Sequence, residues 1–132
     1  MSGGFPRATG EERGRRVTRV DGVPRFELRP GVDSAVVPGT NLTLSFLRLS
    51  PGLDAKLHSH PEEQAVVVLE GELDLVAGES VHHVKAGDVA VIPGGIPHSA
   101  VTQDRACKVL DIFSPARKDF EEKLAGAIQS RK

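Results

Sequence analysis

Three of the five histidines in this chain fall at spacings that suit a metal ion. His58-Ser-His60 puts two imidazoles two residues apart, and Gln64 follows after three more residues. On an extended backbone, side chains two apart point to the same face, so His58 and His60 can aim at one ion. Imidazole suits Zn, Ni, Cu and Fe, and the side-chain oxygen of Gln64 offers a harder donor. A second segment runs Gly87, five residues, Pro93-Gly94-Gly95, two residues, His98, and can bring a third imidazole to the same ion. A lone histidine on an apolar face is usually a satisfied core residue. Three at these spacings, in a framework of Gly and Pro, point to metal binding.

The remaining nucleophiles and ligands read differently. His82 and His83 are adjacent, must point to opposite faces if extended, and are expected on the surface of a hairpin. Cys107, the single cysteine, lies in Ala106-Cys-Lys-Val-Leu, where a small buried hydrophobe is the ordinary outcome.

A site of this kind needs a rigid frame, and the pattern around it predicts β-structure. Short β-prone runs cover Leu42 to Leu49, Ala65 to Leu69, Leu73 to Val76, Val89 to Ile92 and Val109 to Phe113, divided by Gly, Pro and Asp. Glu70-Gly71 and Lys85-Ala-Gly-Asp88 read as tight turns in an antiparallel sheet. In the first run the alternation Leu42, Leu44, Phe46 changes phase to Leu47 and Leu49, which predicts a bulge. Ser114-Pro115 resembles an N-cap followed by proline at the first helical position, and Phe120, Leu124 and Ile128 recur every four residues, predicting a short amphipathic helix. Residues 1–16 are rich in Gly and Arg without apolar periodicity and are expected to form a flexible arm.

Size and charge narrow the function. A length of 132 residues suits one domain. The formal net charge of −1 argues against nucleic acid or anionic lipid as a partner. No run approaches the ~20 apolar residues of a membrane span, and Met1-Ser-Gly-Gly-Phe-Pro-Arg lacks the apolar block of a signal peptide, so the expected location is cytoplasmic. With no Trp or Tyr and five Phe, the core must be aliphatic and the pocket poor in stacking surfaces.

Across residues 52–102 the two segments resemble both signature motifs of the cupin superfamily at every glycine, proline and histidine position quoted above. The resemblance implies an all-β fold, a single cupin (double-stranded β-helix, jelly-roll) barrel over residues 17–132 with a short C-terminal helix. It also implies one divalent metal ion (Zn, Ni, Mn, Co or Fe) held by His58, His60, Gln64 and His98. The family's first motif usually has Glu where this chain has Gln64, and its second usually ends in Asn where this chain has Thr102. Three neutral imidazoles and a neutral amide leave the ion's double charge uncompensated, which tilts the site toward Lewis-acid chemistry and away from iron oxidation. Glu62 and Glu63 are carboxylates close enough to serve instead as ligands or as acceptors behind the histidines.

A narrower resemblance bears on function. His58-Ser-His-Pro-Glu-Glu-Gln64, together with Asp111-Ile-Phe-Ser-Pro-Ala-Arg-Lys-Asp-Phe120, is similar to the small cupins of pectin and alginate breakdown, which convert unsaturated uronates to open-chain keto forms. In that group Asp, Phe and Arg of the C-terminal run work beside the metal, which implies catalytic roles for Asp111, Phe113 and Arg117. Chemically, Arg117 can pair with a substrate carboxylate and Asp111 can move a proton. Each has a bland rival: Asp111 can pair with Arg117, Phe113 can be core, and Arg117 can satisfy carbonyls at the rim. Three classes therefore stay open: a non-redox metal enzyme acting on a small acidic substrate, a dioxygenase or polyketide cyclase, and a non-catalytic metal- or metabolite-binding barrel. A homodimer is expected, with Val17 to Leu28 as a segment that can be exchanged.

Overall fold

The computed structural model describes residues 4–130. Among these described residues, nine strands form two antiparallel sheets that close over one core. In chain order they are β1 (Phe26–Arg29), β2 (Val32–Pro38), β3 (Thr43–Leu49), β4 (Glu63–Glu70), β5 (Glu72–Ala77), β6 (Ser80–Lys85), β7 (Val89–Ile92), β8 (His98–Val101) and β9 (Cys107–Ser114). The larger sheet has the order β1-β2-β3-β9-β4-β7 and the smaller β6-β5-β8. This is the all-β jelly-roll barrel that the sequence led us to expect.

Alternation builds the core. On β9 Cys107, Val109, Asp111 and Phe113 face inward, and on β4 Gln64, Val66 and Val68 do the same. The inward residues of one half are aliphatic: Val32, Leu47, Leu49, Val66, Val68, Leu73, Leu75, Val84, Ile92, Cys107 and Val109 pack into one cluster. Burial raises the Cys107 thiol pKa to about 11, as suits an inert core residue. Toward the other end the same rows turn polar, with Ser34, Thr43, Ser45, Gln64, His98 and Asp111 buried. Beyond them a second cluster joins Val36, Phe113 and Phe120.

Three expectations change. β3 carries no bulge: its pairing with β2 and with β9 runs without a break, and its inward residues are Thr43, Ser45, Leu47 and Leu49. The apparent change of phase arose because the first two inward positions are polar. Ser45 bonds Ser34 Oγ to Oγ at 2.7 Å, and Thr43 Oγ1 accepts from the Arg117 amide at 2.8 Å, so both are satisfied inside.

The Glu70-Gly71 and Lys85–Asp88 turns are tight, but they do not join neighbouring strands of one sheet. Each carries the chain from one sheet to the other, from β4 to β5 and from β6 to β7. Gly71, at φ +82°, is required there, because a Cβ would stand 2.8 Å from the Ala106 carbonyl oxygen.

The C-terminal helix, α2 (Lys118–Gln129), begins three residues later than the Ser114-Pro115 signal suggested, with Arg117 as its N-cap. Phe120 is buried and Leu124 packs partly beneath the helix, whereas Ile128 is exposed. Within the segment expected to be a flexible arm, the described residues include a seven-residue helix, α1 (Gly10–Arg16). It buries nothing. Its order is local: Thr9 and Glu12 form a reciprocal capping box, and Arg15 pairs with Glu11 one turn away. Residues 1–3 lie outside the described residues.

Candidate metal centre

His98 opens β8, and His58 is fastened opposite it. The two residues exchange both backbone hydrogen bonds, His58 N to His98 O at 3.0 Å and His98 N to His58 O at 2.9 Å. His58 and His60 thus lie on an extended connection between β3 and β4 rather than within a strand, yet the two-residue spacing still brings their rings to one side. The connection is tied elsewhere by Thr102. Its hydroxyl donates to Ser50 O and accepts from Leu53 N, at 2.5 and 2.9 Å, so threonine fills the motif position where asparagine is usual.

Gly94 sets the third approach. A Cβ there would overlap the Pro61 carbonyl oxygen, so only glycine lets the loop after β7 press against the loop that carries His60. Next to it, Gly95 N donates to His60 O at 2.8 Å.

The three rings form one cluster. One nitrogen from each of His58, His60 and His98 lies within 4.8 Å of the others. Each ring is oriented from behind by a backbone carbonyl on its Nδ1 side: Lys56 O at 3.1 Å for His58, Glu62 O at 3.0 Å for His60 and Ile96 O at 2.8 Å for His98. With Nδ1–H donating to these carbonyls, every Nε2 carries a lone pair, the tautomer a metal ligand needs. His98 Nε2 is buried without a hydrogen-bond partner among the described residues. Burial lowers the pKa of His58 and His98, although Lys56 O and Ile96 O oppose the shift, so both rings favour the neutral form that can bind a cation.

Gln64 and Asp111 complete the arrangement. Gln64 stands near Asp111 and favours its ionised form, while its Oε1 lies 2.9 Å from His60 Nε2. In the tautomer just described, two acceptors face each other at that distance. A cation between them resolves the conflict, and the buried, unpartnered His98 Nε2 fits the same ion.

Asp111 is buried beside Ser45 of β3 and Val66 of β4 in the register. Loss of solvent pushes its pKa up to about 7 against the opposing pull of Gln64, Arg29 and Arg117. Of the two neighbouring carboxylates, Glu62 sits on the Nδ1 side of His60, with Oε1 3.4 Å from that nitrogen, and Glu63 is exposed. Glu62 thus stands behind His60, away from its Nε2.

The cavity above the aliphatic core is lined by these groups and by Phe113, Arg117 and Phe120. Phe113 belongs both to the core and to the wall: it is 3% exposed, and its ring stands edge-on to His60 at 5.5 Å and to Phe120 at 5.2 Å. Arg117 lies over Phe120 at 4.1 Å and gives Nε and Nη2 to the two oxygens of Asp119, at 3.1 and 2.8 Å. Its Nε also lies 3.7 Å from Glu62 Oε1, so its ion pairs are with Asp119 and Glu62 rather than Asp111.

Sequence reasoning passed over Arg29, at the end of β1, which also lines the cavity. Its run, Phe26-Glu-Leu-Arg29, carries no motif, so only the closing of the sheet reveals it.

Comparison with known proteins agrees with the geometry. The chain resembles KdgF from a Halomonas species, with a TM-score of 0.68 at 23% identity, covering 73% of this chain and 89% of that one. An RmlC-like cupin from Shewanella frigidimarina gives 0.73 at 24% identity over 78% and 93%. Oxalate decarboxylase from Bacillus subtilis gives 0.67 at 22% over 74% of this chain, which there spans 28% of the other protein's length. No curated protein matches the chain in sequence. At these identities the shared feature is the fold. A family model described as the cupin domain matches residues 45–113, more than half of the chain and nearly the whole stretch from β3 to β9 that holds the histidine cluster. With that match added to the barrel and its three converging imidazoles, the chain belongs to the cupin family.

Proposed function

We propose that this cupin is an enzyme that uses one divalent ion as a Lewis acid on a small acidic oxygenated substrate, with ring opening of an unsaturated uronate as the sharpest form. The observation that carries the reading is the convergence of donors: one nitrogen from each of His58, His60 and His98 lies within 4.8 Å of the others, Gln64 Oε1 lies 2.9 Å from His60 Nε2, and His98 Nε2 is buried without a partner among the described residues. His58, His60 and His98 through Nε2, and Gln64 through Oε1, would hold the ion. Such an ion polarises a substrate oxygen and lowers the pKa of bound water.

The chain's own residues supply the rest. Asp111, buried near Gln64 with its pKa pushed up by loss of solvent while the centre is metal-free, is placed to take up or give a proton, and a bound cation would draw that pKa down. Phe113 and the aliphatic floor exclude water from one side of the cavity. Arg117 adds positive charge to the wall while Asp119 holds it in place. The neutral donor set favours chemistry without a change of oxidation state. The walls hold two phenyl rings, Phe113 and Phe120, which suits a small polar substrate better than a large flat polyketide. The reading includes a cytoplasmic homodimer, for which the exposed Val89 and Val91 of edge strand β7 offer a free sheet border.

The test is elemental analysis of protein purified without chelator, followed by NMR of unsaturated galacturonate incubated with the metal-loaded protein. About one Zn, Ni, Co or Mn per chain, with ring opening faster than in buffer and no oxygen uptake, is the expected result. Iron with oxygen-dependent turnover would overturn it in favour of a dioxygenase. Metal-dependent uronate binding without any turnover would make the protein a binding barrel.

A further inference from the structure

Two arginines reach the cavity, and they differ in how they are paired. Arg117 gives both oxygens of Asp119 a donor and stands over the Phe120 ring. Arg25, outside the cavity, holds Asp33 at 2.6 Å and two backbone carbonyls besides. Arg29 is half-buried against the cavity, and among the described residues no carboxylate pairs with it.

Its Nη1 lies 3.3 Å from His58 Nδ1, but in the metal-binding tautomer that nitrogen already gives its proton to Lys56 O and has no lone pair to offer. The carboxylate whose field reaches Arg29 is Asp111, yet among the described residues no ion pair joins the two. A guanidinium partly removed from water without a counter-charge is unfavourable unless something supplies one. Here its free donors face a cavity beside the three imidazoles, and the planar fork matches a carboxylate in bidentate geometry.

We propose that Arg29 is the specificity-determining residue that binds the carboxylate of a small acidic ligand in this cavity, the part assigned from sequence to Arg117. The proposal rests on the acidic-substrate reading above and sharpens it. A sugar acid would place its charged group at the β1 side of the cavity and its ring oxygens toward the imidazoles. The neutral sugar would lack the one group that Arg29 can hold.

The test uses the cobalt(II)-loaded protein, whose visible spectrum responds to ligands near the metal, titrated with galacturonate, acetate and the uncharged sugar galactose. Metal per chain is measured alongside. Arg29→Gln should weaken galacturonate at least tenfold with cobalt stoichiometry unchanged, Arg29→Lys should recover part of the loss, and Arg117→Gln should weaken it less. Galactose should respond equally in parent and variant. If galacturonate binds no better than acetate, yet both depend on Arg29, the carboxylate site stands and the uronate reading falls. Unchanged galacturonate affinity in Arg29→Gln, loss of cobalt from that variant, a larger effect at Arg117, or no spectral response to any carboxylate would each overturn the proposal.

Discussion

His58 and His60 differ from His82 and His83 above all in what surrounds them. The first pair lies on a connection pinned to β8 and pressed by Gly94, with carbonyls behind each ring and a third imidazole in front. The second lies on edge strand β6, where both side chains are exposed. His83 meets Asp74 at 3.0 Å and Glu72 at 3.8 Å, and each is an ordinary surface contact. Spacing separates the pairs first, since neighbours on a strand diverge while alternate residues converge. The difference teaches that a histidine is fitted to be a ligand when its distal nitrogen is held and faces others of its kind.

The sharpest way to break this contrast is exchange of one member at a time. His98→Ala should lower metal affinity by roughly a hundredfold or more, whereas His82→Ala should leave it unchanged within about twofold, as read by competition with a chromophoric chelator. The reverse pattern would overturn the ligand assignment.

A second prediction concerns the polar layer behind the ligands. The folded-state pKa of Asp111 is raised from 3.8 to about 7, so its contribution to stability is fully present below about pH 4 and is lost as pH rises through 7. Metal-free Asp111→Asn protein should therefore gain on the parent between pH 4 and 7, reaching on the order of 4 kcal/mol at pH 8 by urea unfolding. Metal loading should shrink the gap, because the cation favours the carboxylate. Parallel pH profiles would show that Asp111 is not buried in the way described.

The smallest effect is expected from the frame. Gly94→Ala must push the loop off Pro61, and should cost about 1–3 kcal/mol in thermal unfolding, with a roughly tenfold or smaller loss of metal affinity. If affinity fell as far as in His98→Ala, the loop would matter to the site more than the ligand it carries.

Much of this was legible in the chain. The four candidate ligands stood out by type and by local spacing, the five strongest strand runs by alternation, and the surface histidines by adjacency. The β3 bulge was misread because Thr43 and Ser45 are polar yet face inward, and their partners Arg117 and Ser34 come from other elements. The start of α2 was misplaced for a related reason: the Ser114 hydroxyl donates to Asn41 O, just before the neighbouring strand β3, rather than capping the helix, leaving Arg117 to begin it.

By itself, then, the sequence determined the types of the candidate ligands, the period that brings His58 and His60 to one face, and the glycines at which the chain can turn or close up. These follow from backbone geometry over a few residues, which is the same wherever the segment sits. Only the tertiary structure decided that Gln64 Oε1 faces His60 with Asp111 nearby, that the turns at Gly71 and Gly87 cross between sheets, and that among the described residues Arg29 rather than Arg117 is left without a paired carboxylate. Those outcomes depend on which strands become neighbours and in what register, and on how many donors and acceptors are then left to share. Pairings between residues so far apart in the chain are fixed by the closing of the barrel, and no local pattern records them.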